Sequence, residues 1–155
     1  MRPMSGDSGY TRDRGTQIVV SLMKQHRIKR VIVSPGTMNI GLVRAVQLDP
    51  YFEVWSSADE RSAAYMACGM AAASGEPVAL SCTGATAARD YYPGMTEAFY
   101  RKLPILAITS SHTESSVGHL VPQVTDRSDA VRDAVRLSVH VPVVYDEKSE
   151  WAATI

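Results

Sequence analysis

The sequence lacks most of the features that mark specialised classes of protein. Its 155 residues include two cysteines, Cys68 and Cys82, which lie in apolar stretches and match no metal-ligand spacing, so neither a disulfide framework nor a zinc site is indicated. The 16 basic and 16 acidic residues cancel, which removes any electrostatic case for binding nucleic acid or an anionic membrane. No apolar run approaches the ~20 residues of a membrane helix, and the N-terminus lacks the apolar core of a secretory leader. We therefore expect a cytoplasmic protein with reduced thiols.

What the chain does have is an alternation of helix and strand patterns. Hydrophobic residues make up 45% of the sequence, enough for one domain with a proper core. The predicted strands are unbroken apolar runs, which indicates a doubly wound α/β fold: a mainly parallel sheet with helices on both faces. The predicted helices are 16–26, 39–47, 62–74, 87–102 and 126–137, and the predicted strands are 31–34, 52–56, 77–82, 104–109 and 139–144.

Three further features of this pattern can be tested against a structure. Pro93 and Gly94 must interrupt the helix at 87–102 or mark its true start, because proline cannot continue a helix interior. The polar stretch at 110–121 is predicted to be an exposed loop. The last residues, 147–155, read as the start of another helix.

Small and polar residues follow three of the predicted strands. These segments are Ser34-Pro35-Gly36-Thr37, Ser57-Ala58-Asp59-Glu60 and Cys82-Thr83-Gly84-Ala85-Thr86. The carboxyl ends of parallel strands lie on one edge of a sheet, and ligands bind at that edge in folds of this kind. The sequence therefore predicts a ligand site bordered by these three loops.

Glu60 is the acidic residue that stands out in this set. It follows Asp59, a suitable N-cap, so its carboxylate lies in the first turn of a helix, where the helix dipole favours a negative charge. That helix, at 62–74, carries almost no charge and is predicted to be buried on most sides and to end at Gly75. Taken alone, Glu60 is also compatible with a purely structural role, as an acidic residue at a helix N-terminus.

The order and spacing of these motifs resemble a known family. Ser34-Pro35-Gly36-Thr37, Asp59-Glu60-Arg61-Ser62-Ala63, Cys82-Thr83-Gly84-Ala85-Thr86-Ala87 and Tyr92-Pro93-Gly94 resemble the N-terminal pyrimidine-binding domain of thiamine diphosphate enzymes. The nearest branch contains the menaquinone-pathway SEPHCHC synthases and the 2-oxo acid decarboxylases. The resemblance runs from about residue 17 to about residue 144 and implies the thiamine diphosphate-binding fold.

The resemblance implies a role for each of the three loops. Glu60 would be the catalytic residue, which hydrogen-bonds N1′ of the aminopyrimidine and so lets the ring's exocyclic nitrogen remove the proton from C2 of the thiazolium. The cofactor-binding residues would be Glu60, Thr83, Gly84, Ala85 and Thr86. The residues on the substrate side would be Ser34, Pro35, Gly36, Thr37 and Gln123.

Two departures from the family pattern bear on what this chain does alone. The family's Gly-Asp-Gly motif and downstream Asn, which hold the cofactor's diphosphate and Mg²⁺, are absent, so those groups would be held by a domain outside this chain. Asp90 stands where many members have Asn, which puts a direct role toward the cofactor in doubt. The predicted organisation is a flexible segment at 1–14 and a pyrimidine-binding domain at 15–155 that is incomplete at its C-terminus.

The predicted function is the pyrimidine-side domain of a thiamine diphosphate- and Mg²⁺-dependent lyase, decarboxylase or carboligase acting on a 2-oxo acid. Its expected partners are a second copy of itself, through the helices at 62–73 and 88–100, and a diphosphate-binding domain on the same longer polypeptide or another subunit. The chain alone is expected to be inactive. Two alternatives remain open: the small subunit of a split 2-oxo acid decarboxylase, and a non-catalytic α/β assembly module.

Other chemistry is weakly indicated. His112 and His119 lie seven residues apart without further ligands at zinc spacing, and a contact with substrate is the open alternative for either. Ser34 has no base within its motif, so a serine hydrolase is poorly supported. A phosphate-binding glycine loop is absent, which argues against a nucleotide-binding protein.

Overall fold

The protein is described by a computed structural model covering residues 11–112, 114–126, 130–141 and 143–144. Within these residues four parallel strands form one sheet in the order β2-β1-β3-β4. The strands are β1 (Arg30–Val33), β2 (Glu53–Ser56), β3 (Val78–Cys82) and β4 (Ile105–Thr109). The helices are α1 (Arg14–Gln25), α2 (Ile40–Leu48), α3 (Glu60–Ser74), α4 (Ala85–Asp90) and α5 (Tyr92–Arg101), with 3₁₀ turns at Thr37–Asn39 and Glu114–Ser116.

Helices cover both faces of the sheet, so the predicted doubly wound α/β fold is confirmed. Side chains alternate across a strand, and β1 shows this directly. Val31 and Val33 pack with α1 and α2 on one face, whereas Ile32 packs with α3, α4 and α5 on the other. The central strand β3 is buried along its whole length, as expected for a strand with a neighbour on each side and helices above and below.

Local signals place the ends of several helices. The Asp13 carboxylate accepts a hydrogen bond from the Thr16 backbone N–H at 2.7 Å, so α1 begins at Arg14, the last residue of the predicted flexible segment. Residues 1–10 of that segment lie outside the described residues. Pro93 lies in the first turn of α5, where its missing N–H costs nothing, which confirms that it marks a helix start. Gly75 ends α3 with φ +70°, the left-handed conformation that glycine adopts readily.

Two predicted elements near the C-terminus are wrong for the residues described. Residues 126 and 130–137 form a turn and irregular backbone rather than a helix, and 139–141 and 143–144 form no strand. A short apolar run such as Val139-His140-Val141 is compatible with either a strand or a loop. Here no neighbouring strand among the described residues provides the backbone hydrogen bonds that a strand needs. The predicted helix start at 147–155 lies outside the described residues.

The prediction that α3 is buried on most sides is also wrong for this chain. One stripe of small residues on α3 packs against the sheet and α5. It consists of Ala63, Ala64, Ala67, Cys68 and Ala71. The opposite stripe, which includes Tyr65 and Met66, is exposed. The absence of charge on α3 therefore does not mean that this chain buries the whole helix.

Among the described residues, every helix is too short or too polar to span a bilayer.

Candidate functional site

The strand register brings the predicted loops to one level at one edge of the sheet. Val33 on β1 lies beside Ser56 on β2 and Ser81 on β3, so the carboxyl ends of these strands coincide. The chain passes from β1 to β2 on one side and then to β3 on the other, which makes the gap between β1 and β3 the topological switch point. Ligands bind at such points in open α/β sheets.

Asn39 ties the first loop to β3. It is buried, and its Oδ1 accepts a hydrogen bond from the Gly36 backbone N–H at 2.8 Å. Its Nδ2 donates to the Ser34 carbonyl and to Ser81 Oγ, both at 3.1 Å. Sequence reasoning used Asn39 only as the start of α2. The only signal for this role in the sequence was a polar residue between an apolar strand and a helix. Its partner on β3, Ser81, lies 42 positions away, so local sequence does not reveal the contact.

The first and third loops touch through small residues. A Cβ on Gly36 would overlap the Thr83 methyl group, so the two loops meet only because residue 36 is glycine. A Cβ on Gly84 would lie 3.2 Å from the Ser110 carbonyl oxygen and 3.9 Å from that of Gln123. Gly84 therefore lets three separate backbone segments approach one another at the edge of the sheet.

Glu60 lies at the first position of α3, as predicted, and is half-buried. Asp59 caps the helix by accepting a hydrogen bond from the Ser62 backbone N–H at 2.7 Å. Hydrogen bonding with Ser62 holds the pKa of Asp59 below its usual value. The cap fixes the first turn of α3 and with it the position of Glu60 at the ends of β1 and β2.

Tyr91 is the unexpected member of this site. It lies between α4 and α5 with 2% of its surface exposed, and its hydroxyl has no hydrogen-bond partner of ordinary geometry. Burial, above all, raises the pKa of this hydroxyl, the neighbouring Cys82 raises it further, and so does the Glu60 carboxyl, while Ser34 acts in the opposite direction. Tyr91 lies within 88–100, the stretch expected to form an interface, but the structure buries it in the core of this chain.

The remaining predicted residues lie at the rim. Pro35, Thr37 and Thr86 are exposed, and α4 begins at Ala85. Gln123 has φ +60°, a conformation that costs a non-glycine residue energy and is often found at functional sites. It lines a small cavity together with Gly84 and His112.

The sequence left open the roles of two histidines and one aspartate, and the structure shows where these three residues lie. His112 lines the cavity beside Gly84, whereas His119 is exposed and does not line it. Asp90 lies 4.0 Å from Arg61, which joins the start of α3 to the end of α4. Both side chains of this pair are largely exposed, so it contributes little to stability.

Within the described part of the chain, the site is small and includes no cluster of metal ligands. The cavity has a volume of about 20 Å³, room for about one water molecule. No cluster of three or more potential metal ligands occurs among the described residues. Any larger ligand would need further walls from outside these residues.

Comparison with known proteins assigns the fold and the motifs to one family. Residues 13–131 match the thiamine pyrophosphate enzyme N-terminal TPP binding domain. The 2-succinyl-5-enolpyruvyl-6-hydroxy-3-cyclohexene-1-carboxylate synthase of Porphyromonas gingivalis (strain ATCC BAA-308 / W83) is 34% identical over 148 residues, which are 95% of this chain and 26% of that protein. The synthase of the same name from Bacteroides thetaiotaomicron (strain VPI-5482) is 30% identical over 142 residues, 92% of this chain and 26% of that protein. The chain therefore spans about a quarter of the length of these relatives.

Solved structures give the same fold. The thiamine diphosphate-dependent 4-hydroxybenzoylformate decarboxylase of Rhodococcus jostii RHA1 superposes with a TM-score of 0.65 at 16% identity, over 73% of this chain and 21% of that one. The benzoylformate decarboxylase of Polynucleobacter necessarius superposes with a TM-score of 0.62 at 15% identity, over 74% of this chain and 21% of that one. Together with the sequence match, they show that this chain belongs to the thiamine pyrophosphate enzymes and corresponds to their N-terminal TPP binding domain.

Proposed function

We propose that this chain supplies the pyrimidine side of the cofactor site in a thiamine diphosphate-dependent lyase, decarboxylase or carboligase that acts on a 2-oxo acid. The observation that carries the proposal is the position of Glu60. Its carboxyl lies at the start of a capped helix, at the carboxyl ends of β1 and β2. A carboxyl so placed can share a proton with a ring nitrogen.

The residues present suit the aminopyrimidine half of the cofactor. Glu60 would hydrogen-bond N1′ of the ring, and the Thr83–Thr86 loop would lie against it, because Gly84 leaves the backbone free of side-chain obstruction. Ser34, Pro35, Gly36, Thr37 and Gln123 would border the substrate side. When bound, the cofactor supplies the carbanion chemistry at its thiazolium ring, and this chain supplies orientation and the proton-sharing group.

The diphosphate and Mg²⁺ would be held by a domain outside the described residues. The support is the lack of a cation centre among those residues and the small volume of the cavity. The proposed assembly is a homodimer joined through this domain, with a diphosphate-binding domain on the same longer polypeptide or on another subunit. The free thiols of Cys68 and Cys82 support a cytoplasmic location.

Glu60→Gln in the complete enzyme tests the role of Glu60. Gln keeps the shape of the side chain but cannot share a proton with N1′, so exchange of the cofactor's C2 proton, measured by NMR, should slow by about 10²-fold or more. Asp59→Asn is the matched control, because it removes the adjacent negative charge while keeping a good helix cap. Exchange in Glu60→Gln at the rate of the wild type, with the fold intact by circular dichroism, would remove Glu60 from this role.

The isolated chain should bind thiamine diphosphate and Mg²⁺ only weakly. The described residues include no cluster of metal ligands that could hold Mg²⁺ and the diphosphate, and the cavity is too small for the aminopyrimidine ring. Calorimetric titration should give a Kd weaker than about a micromolar, which corresponds to a binding free energy smaller in magnitude than about 8 kcal/mol. A micromolar or tighter Kd would show that the chain contains a complete cofactor site.

A further inference from the structure

The buried polar residues of this protein lie together. Leaving tyrosine and cysteine aside, those in the described part of the chain are Ser34, Asn39 and Ser81, with 3%, 2% and 0% of their surfaces exposed. All three lie at the carboxyl ends of β1 and β3, which is the switch point of the sheet. A polar group in a core costs stability unless it is paired, so the position of this cluster calls for a physical reason.

Hydrogen bonds join the three residues into one network. The Ser34 backbone N–H donates to the Ser81 carbonyl at 2.8 Å. The Asn39 Nδ2 donates to the Ser34 carbonyl and to Ser81 Oγ, both at 3.1 Å. On its other side, Asn39 Oδ1 accepts from the Gly36 backbone N–H at 2.8 Å. The loop after β1 is therefore held at both Ser34 and Gly36, and β3 provides the fixed support.

Forming a loop and a helix start does not require this arrangement. In most loops water satisfies the backbone groups, because loops run over the protein surface. Here a buried side chain does so, which means that its amide must be dehydrated. A fully paired buried network of this kind makes the local structure rigid, so residues 34–36 have a single backbone path.

A fixed path matters at Gly36 because this residue touches the third loop. A Cβ on Gly36 would overlap the Thr83 methyl group, so the Gly36 backbone lies directly against the Thr83 side chain. Pro35 and Thr37, on either side of Gly36, are exposed at the rim of the site. The hydrogen bonds of Asn39 thus set the distance between the first and third loops, and with it the space open to a ligand between them.

We propose that Asn39 is a positioning residue for the substrate side of the site: its amide holds the loop at 34–37 against β3 and thereby sets the KM for the 2-oxo acid. This inference rests on the proposed function, in which that loop borders the substrate. With 2% of its surface exposed, Asn39 acts through the loop rather than by touching a ligand. Glu60 lies after another strand and depends on the Asp59 cap, so activation of the cofactor should not depend on Asn39.

The hold on the loop is tested first in the chain without cofactor, by NMR-detected hydrogen exchange of the Gly36 amide relative to the amides of β3. In Asn39→Ala this amide should exchange about fivefold faster or more, the ratio expected for one net hydrogen bond. Ser81→Ala leaves the Gly36 bond in place but removes one anchor of the Asn39 amide, so exchange should be about twofold faster. This milder variant covers the case in which Asn39→Ala does not fold. Wild-type exchange at Gly36 in each variant that folds would overturn the proposal.

The positioning role is tested second in the complete enzyme, with pyruvate, 2-oxoglutarate and benzoylformate as 2-oxo acids. Asn39→Ala should raise the KM for the best of these acids about tenfold, less than the ~10²-fold that a displacement of a full ångström can cost. Ser81→Ala should raise it less. In both variants kcat and the rate of C2 proton exchange should stay within about threefold, the pattern of lost substrate binding rather than lost chemistry.

Val46→Ala is the matched control. Val46 is fully buried on α2 and packs with α1 and β1, so its truncation also destabilises the core but leaves the Asn39 network intact. It should leave both the KM and the relative exchange of Gly36 unchanged. A rise in KM equal to that of Asn39→Ala would mean that general destabilisation explains the effect, and would overturn the positioning role.

The failure of this inference can be told apart from the failure of the proposed function. Wild-type KM in Asn39→Ala and Ser81→Ala, while Glu60→Gln slows C2 exchange, would overturn the role of Asn39 and leave that of Glu60 standing. Wild-type C2 exchange in Glu60→Gln would instead defeat the proposed function. If the wild type turned over none of the three acids, that result would count against the proposed substrate class, and hydrogen exchange at Gly36 would still decide whether Asn39 holds the loop.

Discussion

At the scale of single residues, the site is organised by Asn39. It is a buried amide whose three hydrogen bonds reach the backbone N–H of Gly36, the carbonyl of Ser34 and the hydroxyl of Ser81. These bonds join the loop after β1 to the neighbouring strand β3. A side chain that satisfies several buried groups is costly to remove, because each group is left unpaired in the core.

Asn39→Ala should lower the free energy of unfolding by about 2–4 kcal/mol, since three buried partners lose their hydrogen bonds at once. Urea unfolding followed by circular dichroism measures this difference. Gln47→Ala is the control, because Gln47 is an exposed amide on α2, and its change should stay within about 0.5 kcal/mol. Equal effects of the two substitutions would contradict the structural role assigned to Asn39.

Asp59 gives a prediction that depends on pH. Its pKa is held below the usual aspartate value by its hydrogen bonding with Ser62. A carboxyl with a lowered pKa in the folded state stabilises that state at pH values above its unfolded pKa, and the contribution is lost as the pH falls through the folded pKa.

Asp59→Ala should therefore unfold more easily than the wild type at neutral pH, and the gap should shrink as the pH falls below about 4. Asp59→Asn should keep most of the cap without this pH dependence, because an amide also accepts the bond. Urea midpoints measured from pH 3 to 7 test the pattern. A gap that is constant over this range would mean that the charged cap does not stabilise α3.

At the scale of elements, the close approach of α3 and α5 depends on glycine. A Cβ on Gly94 would lie 2.5 Å from the Ala64 Cβ, a distance that real structures do not show. The Cys68 thiol donates a hydrogen bond to the Gly94 carbonyl at 3.2 Å across the same contact, and burial raises the pKa of that thiol. The sequence marked Gly94 only as a helix interruption, because local patterns do not reveal a contact with a distant helix.

Gly94→Ala should destabilise the chain by about 1–3 kcal/mol, since the added methyl group overpacks the α3–α5 contact. Gly69→Ala is the matched comparison: Gly69 lies inside α3, and a Cβ there meets nothing within 4 Å. That substitution should stabilise the chain by up to about 1 kcal/mol through helix propensity. Denaturant unfolding of both variants tests the contrast, and destabilisation by Gly69→Ala would indicate that another surface covers it.

At the scale of the whole molecule, α3 and the end of α5 expose large apolar side chains. These are Tyr65, Met66, Phe99 and Tyr100, which are 49%, 40%, 38% and 67% exposed. Aromatic residues and Met are enriched in protein interfaces, and large apolar patches rarely stay uncovered in soluble monomers. The proposed homodimer would cover these side chains.

Light scattering at tens of micromolar should therefore give a mass above that of the monomer, and the mass should rise with concentration. Met66→Lys, which places a charge on the apolar surface, should return the chain to monomer mass. Leu48→Lys is the control, because Leu48 is a similarly exposed apolar residue on α2 at the other face of the sheet. A monomer mass for the wild type at every concentration would reject the dimer.

The sequence alone was sufficient for the fold class and for features that depend on a few adjacent residues. The apolar runs of β1, β3 and β4 and the capping signals at Asp59 and Gly75 are local, so pattern and turn chemistry predict them. The motifs were also sufficient to indicate the family. The described residues within 126–137 and 139–144 were mispredicted because short apolar runs are ambiguous without a neighbouring strand to pair with.

Tertiary structure decided which side chains meet. The loops after β1, β2 and β3 come together because the parallel register aligns the ends of these strands. The same register brings Asn39 to Ser81. Contacts of this kind depend on strand order and on which face each residue occupies, properties of the packed sheet that no local stretch of sequence contains. For this reason the sequence identified Glu60 as a candidate from its local motif, while the buried contacts of Asn39 are visible only in the folded chain.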